Sequence, residues 1–210
     1  MVFPKQIRFY GKKKATYFNS IQMRKTFRPE SSFETSFMLQ QEFDDDVFAW
    51  AGQAQSFVFN IKGKNTRYTP DVVRKRRTPE GDVIEFIELK PNIFANNESV
   101  YTKHQLLSEQ FLDLYNRPLS VHTEDDFYKP IKAENLARFY QYRAYDFSRY
   151  DLDLAFTHLT DVKCVGDLYE MCSRFNASPA FAPALIAQKK VHIDFEKPFS
   201  LDLPLEVKYG

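Results

Sequence analysis

Cysteine is scarce in this chain. The two present, Cys164 and Cys172, have no zinc-ligand spacing and read as reduced, partly buried thiols. Long apolar runs are missing as well. No stretch approaches the ~18 residues of a membrane-spanning helix, and Met1-Val-Phe-Pro-Lys-Gln has no signal-peptide core, so a soluble cytoplasmic protein with no membrane partner is expected. A surplus of either charge is also absent: 29 Lys and Arg stand against 28 Asp and Glu, and the net +1 argues against a general nucleic-acid coat. What is present suffices for a core. With 43% hydrophobic and 27% charged residues over 210 positions, the chain suits one medium domain and a small one.

The near-neutral sum hides a strong local imbalance. Residues 1–30 hold eight bases (Lys5, Arg8, Lys12, Lys13, Lys14, Arg24, Lys25, Arg28) and one acid, Glu30, with aromatic pairs Phe9-Tyr10 and Tyr17-Phe18 interleaved. Such an arm suits a phosphate backbone, or equally a protein partner. A second basic cluster, Lys62, Lys64, Arg67, Arg74, Lys75, Arg76 and Arg77, surrounds Asp71. Lys12, Lys13, Lys14, Arg67, Arg74, Lys75, Arg76 and Arg77 are the candidate DNA contacts, although charge runs are more often merely solvated.

Arg67-Tyr-Thr-Pro-Asp71 is followed, after Thr78-Pro-Glu-Gly-Asp82, by Val83-Ile-Glu-Phe-Ile-Glu-Leu-Lys90. Proline and glycine give the middle segment turn chemistry, and the last segment reads as a strand, which predicts a hairpin. A loop at Pro79-Glu80 sets Asp71 opposite Glu88; a loop at Glu80-Gly81 sets it opposite Lys90. Either register keeps Asp71, Glu88 and Lys90 on one face, with opposed Cβ atoms roughly 5 Å apart. Mg²⁺ takes hard oxygen ligands at about 2.1 Å, commonly one or two carboxylates plus phosphate oxygens and water. A lysine beside it can orient the attacking water and offset charge developing on phosphorus. The bland alternative is an exposed Glu–Lys pair on a surface hairpin. Upstream, Ser31-Ser-Phe-Glu34 opens an amphipathic helix with Phe33, Phe37 and Met38 on one side, ending in the acidic run Glu42-Phe-Asp-Asp-Asp46. Glu34 is then either a third metal ligand or the acid of a capping box with Ser31.

Farther along, Tyr101 to Tyr115 reads as a helix with a stripe of Leu106, Leu107, Phe111, Leu112 and Tyr115; residues 119–123 read as a strand and 132–145 as a helix. The alternation predicts an α/β fold. His104 and His122 are weak candidates for a base, because Lys90 already fills that role. Helices over 165–175 and from Ser178-Pro179 to Gln188, then strands over 189–195 and 199–203, give the outline of a winged helix. Its second helix, Pro179-Ala-Phe-Ala-Pro-Ala-Leu-Ile-Ala-Gln188, has almost no base-reading side chains, so it is expected to pack or to meet protein.

In order, Phe33-Glu34, Arg67-Tyr-Thr-Pro-Asp71 and Glu88-Leu-Lys-Pro91, continued by Val121-His-Thr-Glu124 and Asn135-Leu-Ala-Arg-Phe-Tyr140, resemble the TnsA family. These are nuclease subunits of heteromeric, Tn-seven-type transposases, a branch of the restriction-endonuclease-like fold. Some members carry Gln where this chain has Glu88, so the version here is closer to the general nuclease pattern. The resemblance implies a mixed sheet flanked by helices with a small C-terminal winged-helix-like domain; the charge pattern and the loss of periodicity over 146–155 divide the chain as a basic arm over 1–30, an endonuclease domain over 31–150 and the small domain over 151–210. It implies that Glu34, Asp71, Glu88 and Leu89 bind Mg²⁺, with Mn²⁺ substituting, and that Lys90 assists the water. It further implies a bacterial cytoplasmic protein that cuts the 5′ strands at transposon ends, partnered by a DDE-type transposase and an AAA+ ATPase regulator. The rival expectations are a stand-alone restriction or repair nuclease of the same fold, and a noncatalytic assembly module.

Overall fold

The computed structural model describes residues 17–61, 63–95 and 97–207; Lys12, Lys13, Lys14 and Lys62 of the basic clusters lie outside them. The chain divides into two compact units between Tyr128 and Lys129, ahead of the boundary expected near residue 150.

The first unit is a mixed sheet flanked by helices. Strands β1 (Phe18–Ser20) and β2 (Lys25–Phe27) form an antiparallel pair before helix α1 (Ser32–Phe43). Then come β3 (Val47–Gly52), β4 (Phe57–Ile61), β5 (Lys64–Tyr68), β6 (Val72–Thr78) and β7 (Gly81–Leu89). Helices α2 (Asn92–Ala95) and α3 (Glu98–Tyr115) lead to β8 (Leu119–His122) and the short α4 (Glu124–Phe127). The main sheet runs β3-β6-β7-β8, antiparallel except for the β7–β8 pair, which α3 connects in parallel. β4 and β5 form a separate hairpin.

Period-two alternation sorts the sheet into two faces. Val72, Ile87 and Leu89 point to α1 and pack with Phe33 and Phe37, the helical positions four apart that the sequence placed inward. On the other face Phe86 and Leu119 meet Phe57, Phe59 and Tyr68 of the β4–β5 hairpin and Leu107 and Phe111 of α3. Phe111 is fully buried and is the hub of this cluster, with ring centroids 4.9 Å from Phe57, 4.9 Å from Phe59 and 4.6 Å from Phe86. Each such ring contributes roughly 1.5–3 kcal/mol by leaving water. The inward stripe of α3 is rotated from the expected one: His104, Leu107 and Phe111 are buried, while Leu112 and Tyr115 are 48% and 45% exposed.

Glu42, at the end of α1, is 2% exposed and fastens the β1–β2 turn. It accepts from Ser20 Oγ, from Ile21 N at 3.1 Å, from Gln22 N at 3.0 Å and from the indole of Trp50 at 3.2 Å. A buried carboxylate is tolerated only when it is matched in this way.

The second unit holds α5 (Pro130–Tyr140), α6 (Leu152–Thr157), α7 (Val165–Arg174), α8 (Phe181–Ala187), β9 (Val191–Ile193) and β10 (Leu205–Val207). All seven residues of α8 are buried, so it is the core of this unit and presents no face to a groove, as its lack of polar side chains suggested. Of the two C-terminal strands expected, the first is β9. Residues 199–203 are not a strand: β9 pairs instead with β10, Ile193 opposite Leu205. The reason is a competing partner. Leu201 O and Leu203 O accept from Gly166 N (2.6 Å) and Val165 N (3.0 Å) at the start of α7, which holds this stretch as turns. A Cβ on Gly166 would stand 3.2 Å from Leu201 O, so glycine permits the approach. Cys164 and Cys172 are free thiols, and burial pushes Cys172 up to about 11. Among the described residues no helix is long and apolar enough to cross a membrane.

Candidate active site

The β6–β7 register decides the geometry. Thr78 pairs with Gly81 and Val72 with Ile87, so the loop is Pro79-Glu80, with Gly81 at φ 121°, and the pairing extended by one step sets Asp71 opposite Glu88. Asp71 lies just ahead of β6 but is fixed at both ends. Its carbonyl accepts from Gln53 N at 2.9 Å and its Oδ2 from Leu89 N at 2.8 Å. Leu89 therefore enters the site through its N–H.

Glu88 is 5% exposed and carries three side-chain partners. Lys90 Nζ bonds Oε1, His104 Nε2 stands 3.6 Å from the same oxygen, and the Tyr68 hydroxyl donates to Oε2. The chain beyond it is pinned as well: Lys90 N donates to His122 O at 2.9 Å and Asn92 N to Glu124 Oε2 at 2.5 Å.

The two acids respond oppositely to one environment. Burial and the neighbouring Glu88 raise Asp71 from 3.8 to about 7, outweighing the Leu89 N–H and the nearby Lys90 charge. Burial also acts to raise Glu88, but bonds from His104, Lys90 and Tyr68 outweigh it and hold the group below its ordinary value. Burial and the adjoining acid likewise push the Tyr68 phenol far up, so Tyr68 is a permanent donor. Lys90 already balances Glu88, so the proton on Asp71 is the one that a divalent cation would displace.

Glu34 stands at the first turn of α1 and is within electrostatic reach of both Asp71 and Lys90. Its carboxylate, however, turns back to the helix start. Oε2 accepts from Glu30 N at 3.0 Å and Oε1 from Ser31 Oγ at 3.0 Å, while Ser31 Oγ caps Glu34 N at 3.1 Å. Burial raises its pKa despite these bonds. In this arrangement Glu34 is the capping acid. Accordingly, among the described residues no three His, Cys, Asp or Glu gather where they could hold a metal ion. Asp71 and Glu88 remain as two convergent hard-oxygen donors, which fits Mg²⁺, since that ion is commonly held by one or two carboxylates.

The basic residues separate into two kinds. Arg67, Lys75 and Arg77 are exposed, Arg77 lying 5.5 Å over the Phe48 ring. Arg74 must be withdrawn from the phosphate-contact set: it is 8% exposed, bonding Glu85 at 2.6 Å and Gln41 at 2.8 Å beneath α1. Arg76, on the same side, is committed to Asp44 and Asp46 at 3.7 and 3.4 Å. Strand alternation explains the split, since positions 74 and 76 share the helix-facing side.

Tyr68 was missed as a site residue, and His104 was set aside as one. Tyr68 belongs to the motif, but its reach depends on how the β4–β5 hairpin folds over the sheet. His104 carried a signal. It lies three positions before Leu107 and seven before Phe111, a polar residue on the buried stripe of α3. No model of a known protein family matches the chain, and no curated protein matches it either.

Proposed function

We propose that the chain is a Mg²⁺-dependent DNA endonuclease of the restriction-endonuclease-like type. The observation that carries this reading is the Asp71–Glu88 pair, two largely buried carboxylates brought face to face by a hairpin and bordered by the Lys90 ammonium. Glu88 is well matched by its partners, but Asp71 is raised to about 7 by burial and by Glu88, and acids perturbed in this way cluster at functional sites. Asp71 and Glu88 would hold the ion, and Glu34 would join them by leaving its cap. The ion, when bound, supplies positive charge to phosphate oxygens and acidifies water. Lys90, with its side chain 28% exposed, sits at the edge where the scissile phosphate would lie, positioned to orient the attacking water and offset charge on phosphorus. Arg67, Lys75 and Arg77 would meet the DNA backbone, with Lys12, Lys13 and Lys14 extending that contact.

The resemblance to TnsA nucleases narrows the substrate to transposon ends, where this chain would cut the 5′ strands while a DDE-type transposase acts on the 3′ strands under an AAA+ regulator in the bacterial cytoplasm. The second unit, with two helices followed by paired strands, is compatible with a winged-helix-like module. Its buried α8 supports delegation of sequence choice to the partner. One observation favours a noncatalytic assembly module: Glu34 caps its helix and Lys90 already pairs with Glu88.

A cleavage assay on DNA bearing transposon ends, with and without co-expressed transposase, tests these readings. Specific 5′-strand cutting only with the partner, abolished by Asp71→Ala while partner association persists, is the expected result. Efficient site-specific cutting by the isolated chain would favour a restriction or repair nuclease, and full activity of Asp71→Ala would remove the site.

A further inference from the structure

Glu88 is reached by two groups outside the E-x-K motif, and they come from different elements. Tyr68 ends β5, and its ring lies edge-on to Phe111, centroids 6.1 Å apart. His104 is on α3, one turn before Leu107 in the same cluster. Both are thus placed by core packing. Tyr68 donates to Oε2 and His104 Nε2 stands 3.6 Å from Oε1, so each oxygen has a polar neighbour fixed by the core, which limits how the carboxylate plane can turn. Lys90 differs, because its ammonium ends a flexible stem with 28% of the side chain exposed and can yield Oε1 to another cation.

Resting on the nuclease reading above, we propose that Tyr68 and His104 are positioning residues, a two-sided clamp that fixes the Glu88 carboxylate for a divalent cation while Lys90 gives way. Donors to a ligating carboxylate orient it, and removing one costs about 10–100-fold in metal affinity or activity. A purely structural role would be to satisfy a buried acid, as Ser20 and Trp50 do for Glu42. The two roles differ in what they do to metal binding.

The test is Mn²⁺ affinity measured by calorimetry on the full chain, beside melting temperature in EDTA and the Mn²⁺ concentration for half-maximal cleavage in the reconstituted reaction. Tyr68→Phe removes one oxygen and keeps the packed ring; it is expected to weaken Mn²⁺ binding about ten-fold and to raise the half-maximal concentration by the same factor, with the rate recovering at saturating Mn²⁺. His104→Gln, which keeps an N–H donor, should bind Mn²⁺ nearly as the unaltered chain does, and His104→Ala should follow Tyr68→Phe. A lower melting temperature with unchanged Mn²⁺ affinity in Tyr68→Phe overturns the clamp alone, provided Asp71→Ala abolishes binding. If the unaltered chain takes up no Mn²⁺, the cation site fails and the clamp with it.

Discussion

Two buried glutamates in the first unit, Glu42 and Glu88, are 2% and 5% exposed, yet they are held in different ways. Glu42 accepts from the backbone of a turn, at Ile21 and Gln22, as well as from the Ser20 hydroxyl and the Trp50 indole. The two backbone donors cannot leave without opening the β1–β2 turn. Glu88 is held by side chains, Tyr68, Lys90 and His104, and stands beside a second acid that burial and the Glu88 charge push up. Side-chain partners can rearrange and a repelled neighbour can accept a cation. Burial of a charge is therefore uninformative by itself; what sets the proposed site apart is that side chains rather than backbone groups hold Glu88 and that a second acid stands beside it.

The contrast is sharpest for stability. Glu42→Ala leaves several buried donors unmatched and is expected to destabilise the chain by about 3 kcal/mol, read as a lower urea midpoint at unchanged slope. It should leave the metal dependence of cleavage unaltered. Near-neutral stability in this variant would place Glu42 among the dispensable surface acids and break the comparison.

Asp71→Asn should act in the opposite direction and depend on pH. Asp71 is raised from 3.8 to about 7, so the fold favours its protonated form. Its unfavourable contribution is absent below the unfolded value and grows as pH rises from about 4 to 7. In EDTA the variant should melt with the unaltered chain near pH 4 and about 2–4 °C or more above it at pH 8. Mg²⁺ should stabilise only the unaltered chain. A pH-independent offset between the two melting curves would show that burial and Glu88 do not raise Asp71.

The smallest effect distinguishes the two roles of Glu34. Gln can still accept a capping bond but is a poor ligand, so Glu34→Gln should lose cleavage while stability stays within about 1 kcal/mol. Ser31→Ala, which removes the cap at Glu34 N, should reverse the pattern, costing about 1 kcal/mol with little loss of rate. Chemical denaturation alongside the cleavage assay measures both.

What was legible in the sequence was local. The turn at Thr78-Pro-Glu-Gly-Asp82 fixed a hairpin within two registers, both with Asp71, Glu88 and Lys90 on one face, and the four-residue step from Phe33 to Phe37 fixed the inward side of α1. β3 was not foreseen: Val47-Phe-Ala-Trp-Ala-Gly52 lacks strict alternation and pairs with β6 through a register shift between Val47 and Ala49. Arg74 looked like part of a solvated basic run because nothing near it in sequence announces Gln41, thirty-three positions earlier. The strand expected over 199–203 failed for a similar reason, since its alternation was real but its backbone was claimed by α7.

Asp71, finally, sits outside any strand yet is tied through its carbonyl to Gln53 and through its carboxylate to Leu89. Freezing a side chain at the moment of association ordinarily costs about 0.5–1.5 kcal/mol. Here the rotational freedom is surrendered once, when the chain folds, and would not be surrendered again on binding of the proposed cation.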